Sequence, residues 1–311
     1  ADAGGGGVDS DSVSGTYVGT NAGASVITSG AVGAYNTLVG YDSGTAITSG
    51  DYNTCVGKDS GIKITTGGYN VAIGNDTLNE NTTQYYNVAV GSQALQNRTQ
   101  AKNTAVGSSA GKTSTTGGEN TFVGYEAGDK CEGSKNVFIG INAGSGNGND
   151  ITGDGNIGIG KEALWGSGSG DVSGGQNIAI GWTPMIKVSS GQSNIGIGIQ
   201  TGYNITSGNF NTNVGAYSGY NISTGSNNLF LGQNAGSQLG APSGTVTTGS
   251  NIICLGDNSI TDFYCADTSI SSSDKRDKTD VTDFTHGLKW INQLKPVTYR
   301  WDKRTWYNEY N

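Results

Sequence analysis

The sequence predicts an all-β repeat β-solenoid followed by the start of a small α+β domain, and three observations carry that expectation. A short box, usually Asn, a β-branched or aliphatic residue, a variable residue, an aliphatic residue and Gly, recurs fourteen times. Glycine makes up 54 of 311 residues beside only 3 prolines and no Gly-X-Y period, which excludes collagen and Pro-rich linkers. At Ser273 the composition changes: residues 273–311 hold one Gly, eight of the 17 Lys and Arg, and three of the five Trp. The expected layout is an N-terminal linker over 1–12, repeats over 13–260, a linker over 261–272 and a separate segment over 273–311.

The box closes at Gly19, Gly40, Gly57, Gly74, Gly91, Gly107, Gly124, Gly140, Gly160, Gly181, Gly198, Gly215, Gly232 and Gly256. The modal spacing is 17 residues, and spacings of 20, 21 and 24 read as loop insertions. Two boxes depart at the Asn position, with Gly15 in the first and Ile252 in the last. The residue before the closing Gly is always aliphatic, and so, or Thr, is the residue two places earlier. Side chains alternate along a strand, so these positions share one face. The sequence reading places that fixed face coil upon coil. It turns the variable middle position outward, where Phe122, Phe138 and Phe230 would need cover.

After the box come a small residue and Gly, as in Ala110-Gly111 and Ala127-Gly128, with Leu78, Leu95 and Leu164 replacing the Gly in some repeats. Then comes a turn signal such as Ile47-Thr48-Ser49-Gly50. The unit is read as two short strands and two turns. The Thr columns are explained by turn chemistry rather than by an ice-binding face. One such unit cannot bury its own apolar side, whereas stacked units can. Fourteen coils at the inter-strand spacing make a rod on the order of 65 Å long. The Asn column, Asn36 through Asn228, suits a side-chain ladder or a left-handed turn position.

Over residues 13–256 this pattern resembles the YadA-like head of trimeric bacterial adhesins, where Asn-x-x-[Ile/Val]-Gly boxes build a β-roll, though with a shorter repeat. The resemblance implies a homotrimer.

The C-terminal segment reads Ser273-Asp274-Lys275-Arg276-Asp277-Lys278, then Gly287-Leu288 through Leu294-Lys295-Pro296-Val297-Thr298-Tyr299-Arg300-Trp301. Leu288, Ile291 and Leu294 suggest a short helix, Pro296 its end, and Val297–Trp301 a strand. These motifs resemble the opening of the intramolecular chaperone domain of phage tailspikes and fibres, the endosialidase type classed as peptidase family S74. The resemblance implies trimerisation followed by self-cleavage at Ser272–Ser273, with Ser273 as nucleophile and Lys278 as its base. A desolvated lysine can take the hydroxyl proton, and attack on the preceding carbonyl gives an ester that water opens. Asp274 and Arg276 are motif residues with structural roles, and His286 is read as a helix-start residue. The segment covers only the opening of such a domain and the chain starts without Met, so a longer parent chain is expected.

Net charge is −8 and the pI about 4.6, which argues against nucleic-acid binding. No apolar run reaches membrane-spanning length, so no membrane insertion is expected. Cys55, Cys131, Cys254 and Cys265 match no zinc spacing and are expected as free thiols of a protein assembled in a reducing cytoplasm. No metal or cofactor is implied. The run 146–155, with its Gly, Asn and Asp, faintly resembles a calcium-roll loop but occurs once, so an inserted loop is the simpler account. Tyr35, Tyr52, Tyr69 and Tyr86 fall in one column, expected to stack and able to touch sugars, and Trp165 and Trp182 are candidates for receptor contact.

The expected function is a trimeric virus tail fibre or spike. Its partners would be itself, other virion tail proteins and a host cell-surface glycan or protein. The alternatives are a bacterial trimeric surface adhesin, which needs an outer-membrane anchor, and a polysaccharide-degrading tailspike, which needs paired carboxylates in a groove.

Overall fold

The computed structural model describes residues 15–26, 33–146, 148–167, 170–237 and 245–264. Ser273, Asp274, Arg276, Lys278, His286 and Cys265 lie outside the described residues. The chain divides into two compact units, Ala1–Thr261 and Asp262–Asn311.

The first unit is a parallel β-solenoid. Its strands are β1 (Thr16–Val18), β2 (Thr37–Val39), β3 (Thr54–Val56), β4 (Val71–Ile73), β5 (Val88–Val90), β6 (Thr104–Val106), β7 (Thr121–Val123), β8 (Val137–Ile139), β9 (Ile157–Ile159), β10 (Ile178–Ile180), β11 (Ile195–Ile197), β12 (Thr212–Val214), β13 (Leu229–Leu231) and β14 (Ile253–Leu255). They form one sheet in strict chain order. Every pairing is parallel and in register, so each column of the repeat lines up from coil to coil. Each coil contributes one strand, not the two read from the sequence. The other sides are turns, tied to the next coil by bonds such as Gly44 N–H to Ser60 O at 2.9 Å and Gly61 N–H to Thr77 O at 2.8 Å. Threonine hydroxyls add rungs, as Thr65 Oγ1 donates to Thr82 O at 3.0 Å.

The interior is the reverse of the sequence reading. The middle residue of the strand points inward, so Leu38, Cys55, Phe122, Phe138 and Phe230 are fully buried within the single chain. The residues on either side of it, Thr or aliphatic before and aliphatic after, point away from the interior, the first half-buried and the second half-buried or exposed. The error came from assigning the core to the most uniform column. A core one side chain thick instead needs its volume adjusted coil by coil, and variability at the middle position reflects that.

Six residues beyond the strand centre stands a corner residue in the left-handed region, and in most coils its size complements the centre; where both are small, at Ala105 with Gly111 and Gly196 with Gly202, side chains of adjacent coils (Leu95 and Phe122, or Met185) lie against them. Phe122 pairs with Gly128 and Phe138 with Gly144, whereas Ala72 pairs with Leu78, Ala89 with Leu95 and Gly158 with Leu164. A Cβ on Gly128 would lie 2.2 Å from the Phe122 ring. Leu78, Leu95, Leu164 and Met185 accept φ near 50°, a strain of roughly 1–2 kcal/mol each. Filling the void beside a small strand residue offsets that strain, since burying such a side chain is worth about 1.5–3 kcal/mol. A third inward column, including Ile47, Ile64, Ile205 and Ile222, completes the core. Ile151 and Val172 continue it, so the 146–155 segment is a regular coil side carrying an insertion.

The closing glycines are required by contact. At Gly57, φ is +134° and a Cβ would sit 2.4 Å from Gly74 O of the next coil. Successive backbones approach too closely there for any side chain.

The Asn column forms a continuous ladder, and the left-handed position is the residue before it. Asn194 shows the rule. Its N–H and Nδ2 donate to Asn177 Oδ1, both at 3.0 Å, and its Nδ2 also reaches Gly208 O at 2.8 Å. Its Oδ1 accepts from Asn211 N–H and Nδ2, both at 3.0 Å. At this length only an amide offers two donors beside an acceptor.

Candidate functional site

Three outer features and one internal repair distinguish the surface from a bare scaffold. The first feature is the outward strand face. Its last column, Val18 through Leu255, is aliphatic in all fourteen strands. Ile73, Val106, Val123, Ile139, Ile197, Leu231 and Leu255 are all 36–42% exposed. Just past the closing glycines, Tyr125, Ile141, Trp182 and Ile199 widen this strip. An apolar ladder running the whole length of a rod exceeds the scattered apolar surface of ordinary monomers.

The second feature is the tyrosine column. Tyr35, Tyr52, Tyr69 and Tyr86 stack with centroids 4.9, 4.9 and 5.3 Å apart. Tyr85 leans on Tyr86 and its hydroxyl donates to Thr66 O at 2.9 Å. All four rings are about half exposed. The Tyr52 hydroxyl is pushed up in pKa by partial desolvation and then by Tyr35, Tyr69 and Asp51.

The third feature surrounds the tryptophans, which occupy different columns. Trp182 is exposed with Lys161 Nζ 5.9 Å from its ring, whereas Trp165 is half-buried. Near Trp182 in sequence, Tyr203 and Tyr220 stack at 5.0 Å and Lys187 Nζ lies 5.3 Å from the Tyr203 ring. The sequence reading missed this pair because its tyrosines recur only twice in their column.

The internal repair is Arg98, fully buried in the third column. Its coil has 16 residues, one fewer than the mode. The shortened turn leaves the Asn103 rungs to Asn87 and Asn120 in place but redirects its cross-bond: Asn103 Nδ2 bends back to Gln100 O and Ala101 O, both at 3.2 Å, instead of reaching Gly117. The Arg98 guanidinium donates to Gly117 O and Thr116 O, and to Cys131 O at 2.5 Å, while lying 5.4 Å from the Phe122 ring centre. Burial lowers its pKa, and nearby Cys131 and Glu132 oppose that. Burial would raise Glu132, but donors from Thr116 and Thr115 hold it below its ordinary value. Cys55, Cys131 and Cys254 are free and buried, and burial pushes the Cys55 and Cys131 thiols up to about 12, so both stay protonated. Among the described residues no group of three or more His, Cys, Asp or Glu could hold a metal ion. Asp154 instead accepts from Ser134 N–H at 2.7 Å, and Asp171 from Asp150 N–H at 3.0 Å.

The fold defines a parallel β-solenoid with an uncovered apolar strand face and aromatic outer columns. Residues 273–309 match the family model Peptidase_S74, described as the chaperone of endosialidase. The C-terminal segment is thus of the kind its two motifs resemble, and the match spans the Ser273 and Lys278 positions. Comparison with curated proteins gives no match.

Proposed function

We propose that this chain is a subunit of a homotrimeric virus tail fibre or spike. In this reading its solenoids pack through the outward strand faces, and its C-terminal S74-type segment assists assembly and then separates by self-cleavage. The uncovered aliphatic ladder carries the reading: it is too regular and too long for a surface meant for water, and copies of the chain are the partner with the same repeat along the same length. Closed cyclic packing covers the face of every copy, and three is the number the family resemblances imply. The buried free thiols suit assembly in a host cytoplasm, followed by display on the virion. The aromatic columns outside the ladder are left to contact a host glycan or protein.

The oligomer is tested by light scattering on the full chain. Wild type is expected to give a trimer. Ile139→Lys with Ile197→Lys is expected to give a monomer with unchanged far-ultraviolet circular dichroism, because both side chains point outward from an intact coil. A monomeric wild type rejects the assembly.

Cleavage is tested on the parent chain carrying the whole chaperone domain. The Ser273 Oγ attacks the Ser272 carbonyl carbon as Lys278 takes its proton. The C–N bond breaks, the proton passes to the departing nitrogen, and water then hydrolyses the ester to free the Ser272 carboxylate. Intact-mass spectrometry should find wild type cut between Ser272 and Ser273, and Ser273→Ala and Lys278→Ala uncut. A cut Ser273→Ala product removes this chemistry.

A further inference from the structure

The tyrosine column is unnecessary for the fold that carries it. The position before the ladder Asn lies in the left-handed region in nearly every coil, and other coils fill it with Lys102, Glu119, Gln176, Ser193 or Asn227 at φ 56–63°. Those coils close with the same strand register. A bulky aromatic is poorly suited to this backbone, yet four successive coils use tyrosine with φ between 56° and 63°. The column is also unlike the aliphatic strand face. The last column of that face stays aliphatic through fourteen coils, whereas the tyrosine column turns to Lys102, Glu119 and Lys135. Lys102 and Glu119 pair at 3.6 Å with both side chains more than half exposed, which marks the column as a water-facing rim.

The rings are spaced by the coil rise. Centroids 4.9–5.3 Å apart exceed the contact distance of about 3.5–4.0 Å between carbons. With interplanar angles of 14–24°, rings that far apart do not cover one another fully, and the four residues stay about half exposed. The four rings recur at a spacing close to that of pyranose units in an extended chain. An aromatic face with a polar edge suits a sugar, which has apolar C–H faces and a hydroxyl rim. Charge narrows the class further. Over residues 33–90 there are five carboxylates, Asp42, Asp51, Asp59, Asp76 and Glu80, against two lysines. Both lysines, Lys58 and Lys63, are ion-paired. An anionic polymer finds no free cation in this stretch and would be repelled.

We infer that Tyr35, Tyr52, Tyr69 and Tyr86 form a track that binds a neutral, extended polysaccharide lengthwise along the solenoid, about one sugar per ring. This inference rests on the receptor-contact part of the proposed function and specifies its ligand class and place. The test uses the full chain in its native oligomer with cellohexaose, chitohexaose and maltohexaose as neutral probes, alginate hexamer as the anionic probe, and the matching disaccharides. Binding is read by titration calorimetry and saturation-transfer NMR. Tyr52→Asn with Tyr69→Asn removes the central rings using the residue this column carries at Asn227 and Asn251, so the coil should keep its fold. At least one neutral hexamer should bind, more tightly than its disaccharide and than alginate. The double variant should lose about tenfold in affinity, whereas Glu119→Ser, in the same column beyond the four rings and using the residue carried at Ser193, should leave it unchanged. Failure of all three neutral hexamers, equal binding of alginate, or an unaffected double variant each overturns the track. If a neutral hexamer binds and only Trp182→Ser weakens it, receptor contact stands and the track falls. If no probe binds and virions assembled with the double variant adsorb normally while Trp182→Ser virions do not, the track alone has failed. Loss of adsorption in neither case removes both readings.

Discussion

Replacing Asn194 by Asp is expected to cost about 3–5 kcal/mol at neutral pH, although the side chains are nearly the same size. The Nδ2 group donates to Asn177 Oδ1 at 3.0 Å and Gly208 O at 2.8 Å. A carboxylate oxygen there would face two acceptors with no proton between them, in a fully buried position. Urea denaturation across pH separates this from loss of shape. The aspartate pKa must rise in the folded variant, because burial and the facing oxygens disfavour its charge. The penalty is therefore small below the unfolded carboxyl value. It grows as pH rises from there to the folded value, and it is complete above that. A variant whose stability is independent of pH, or that matches wild type at pH 7, would show the ladder to be ornamental.

The second large effect concerns core volume. Phe138→Ala should cost about 3–5 kcal/mol, since it opens a void in a core one side chain thick. Gly144→Leu alone should also destabilise, because its Cβ would begin 2.3 Å from the Phe138 ring. Together they recreate the pairing the protein already uses in Ala72 with Leu78 and Ala89 with Leu95. The double variant should therefore be more stable than either single one, within about 1–2 kcal/mol of wild type. The remaining loss is the strain of placing a branched side chain on the left-handed backbone that Gly144 now occupies. Equilibrium denaturation of the four proteins closes the cycle. Additive losses would mean that the two positions do not share one space.

These two results bear on function through rigidity. A rod that presents an apolar ladder to its own copies and aromatic columns to a ligand must keep every coil in the same register. The amide ladder and the volume pairing do this without a thick core. Arg98 shows how tightly register is held: where a coil loses a residue, a buried guanidinium takes over the carbonyl that the displaced Asn103 leaves.

Much of this was legible in the sequence, because repetition turns weak local signals into columns. The box spacing predicted the coils, the alignment of Asn36 through Asn228 left a ladder or a left-handed turn position of which the structure shows the ladder, and Tyr35, Tyr52, Tyr69 and Tyr86 announced their stack by falling in one column. The Ser273 and Gly287–Trp301 motifs pointed to the same chaperone type that the family match covers. Which face is inside was decided only by the tertiary structure. Period-two alternation says that Phe122 and Val123 point to opposite sides but not which side closes on itself. That depends on where the corners turn, and the corners turn at left-handed residues that no propensity reveals when they are Leu78 or Met185. The pairing of large strand centres with Gly and of Ala72, Ala89 and Gly158 with Leu, six residues apart, was present in the sequence as a volume signal. It gains meaning only once the two columns are seen to share one narrow interior.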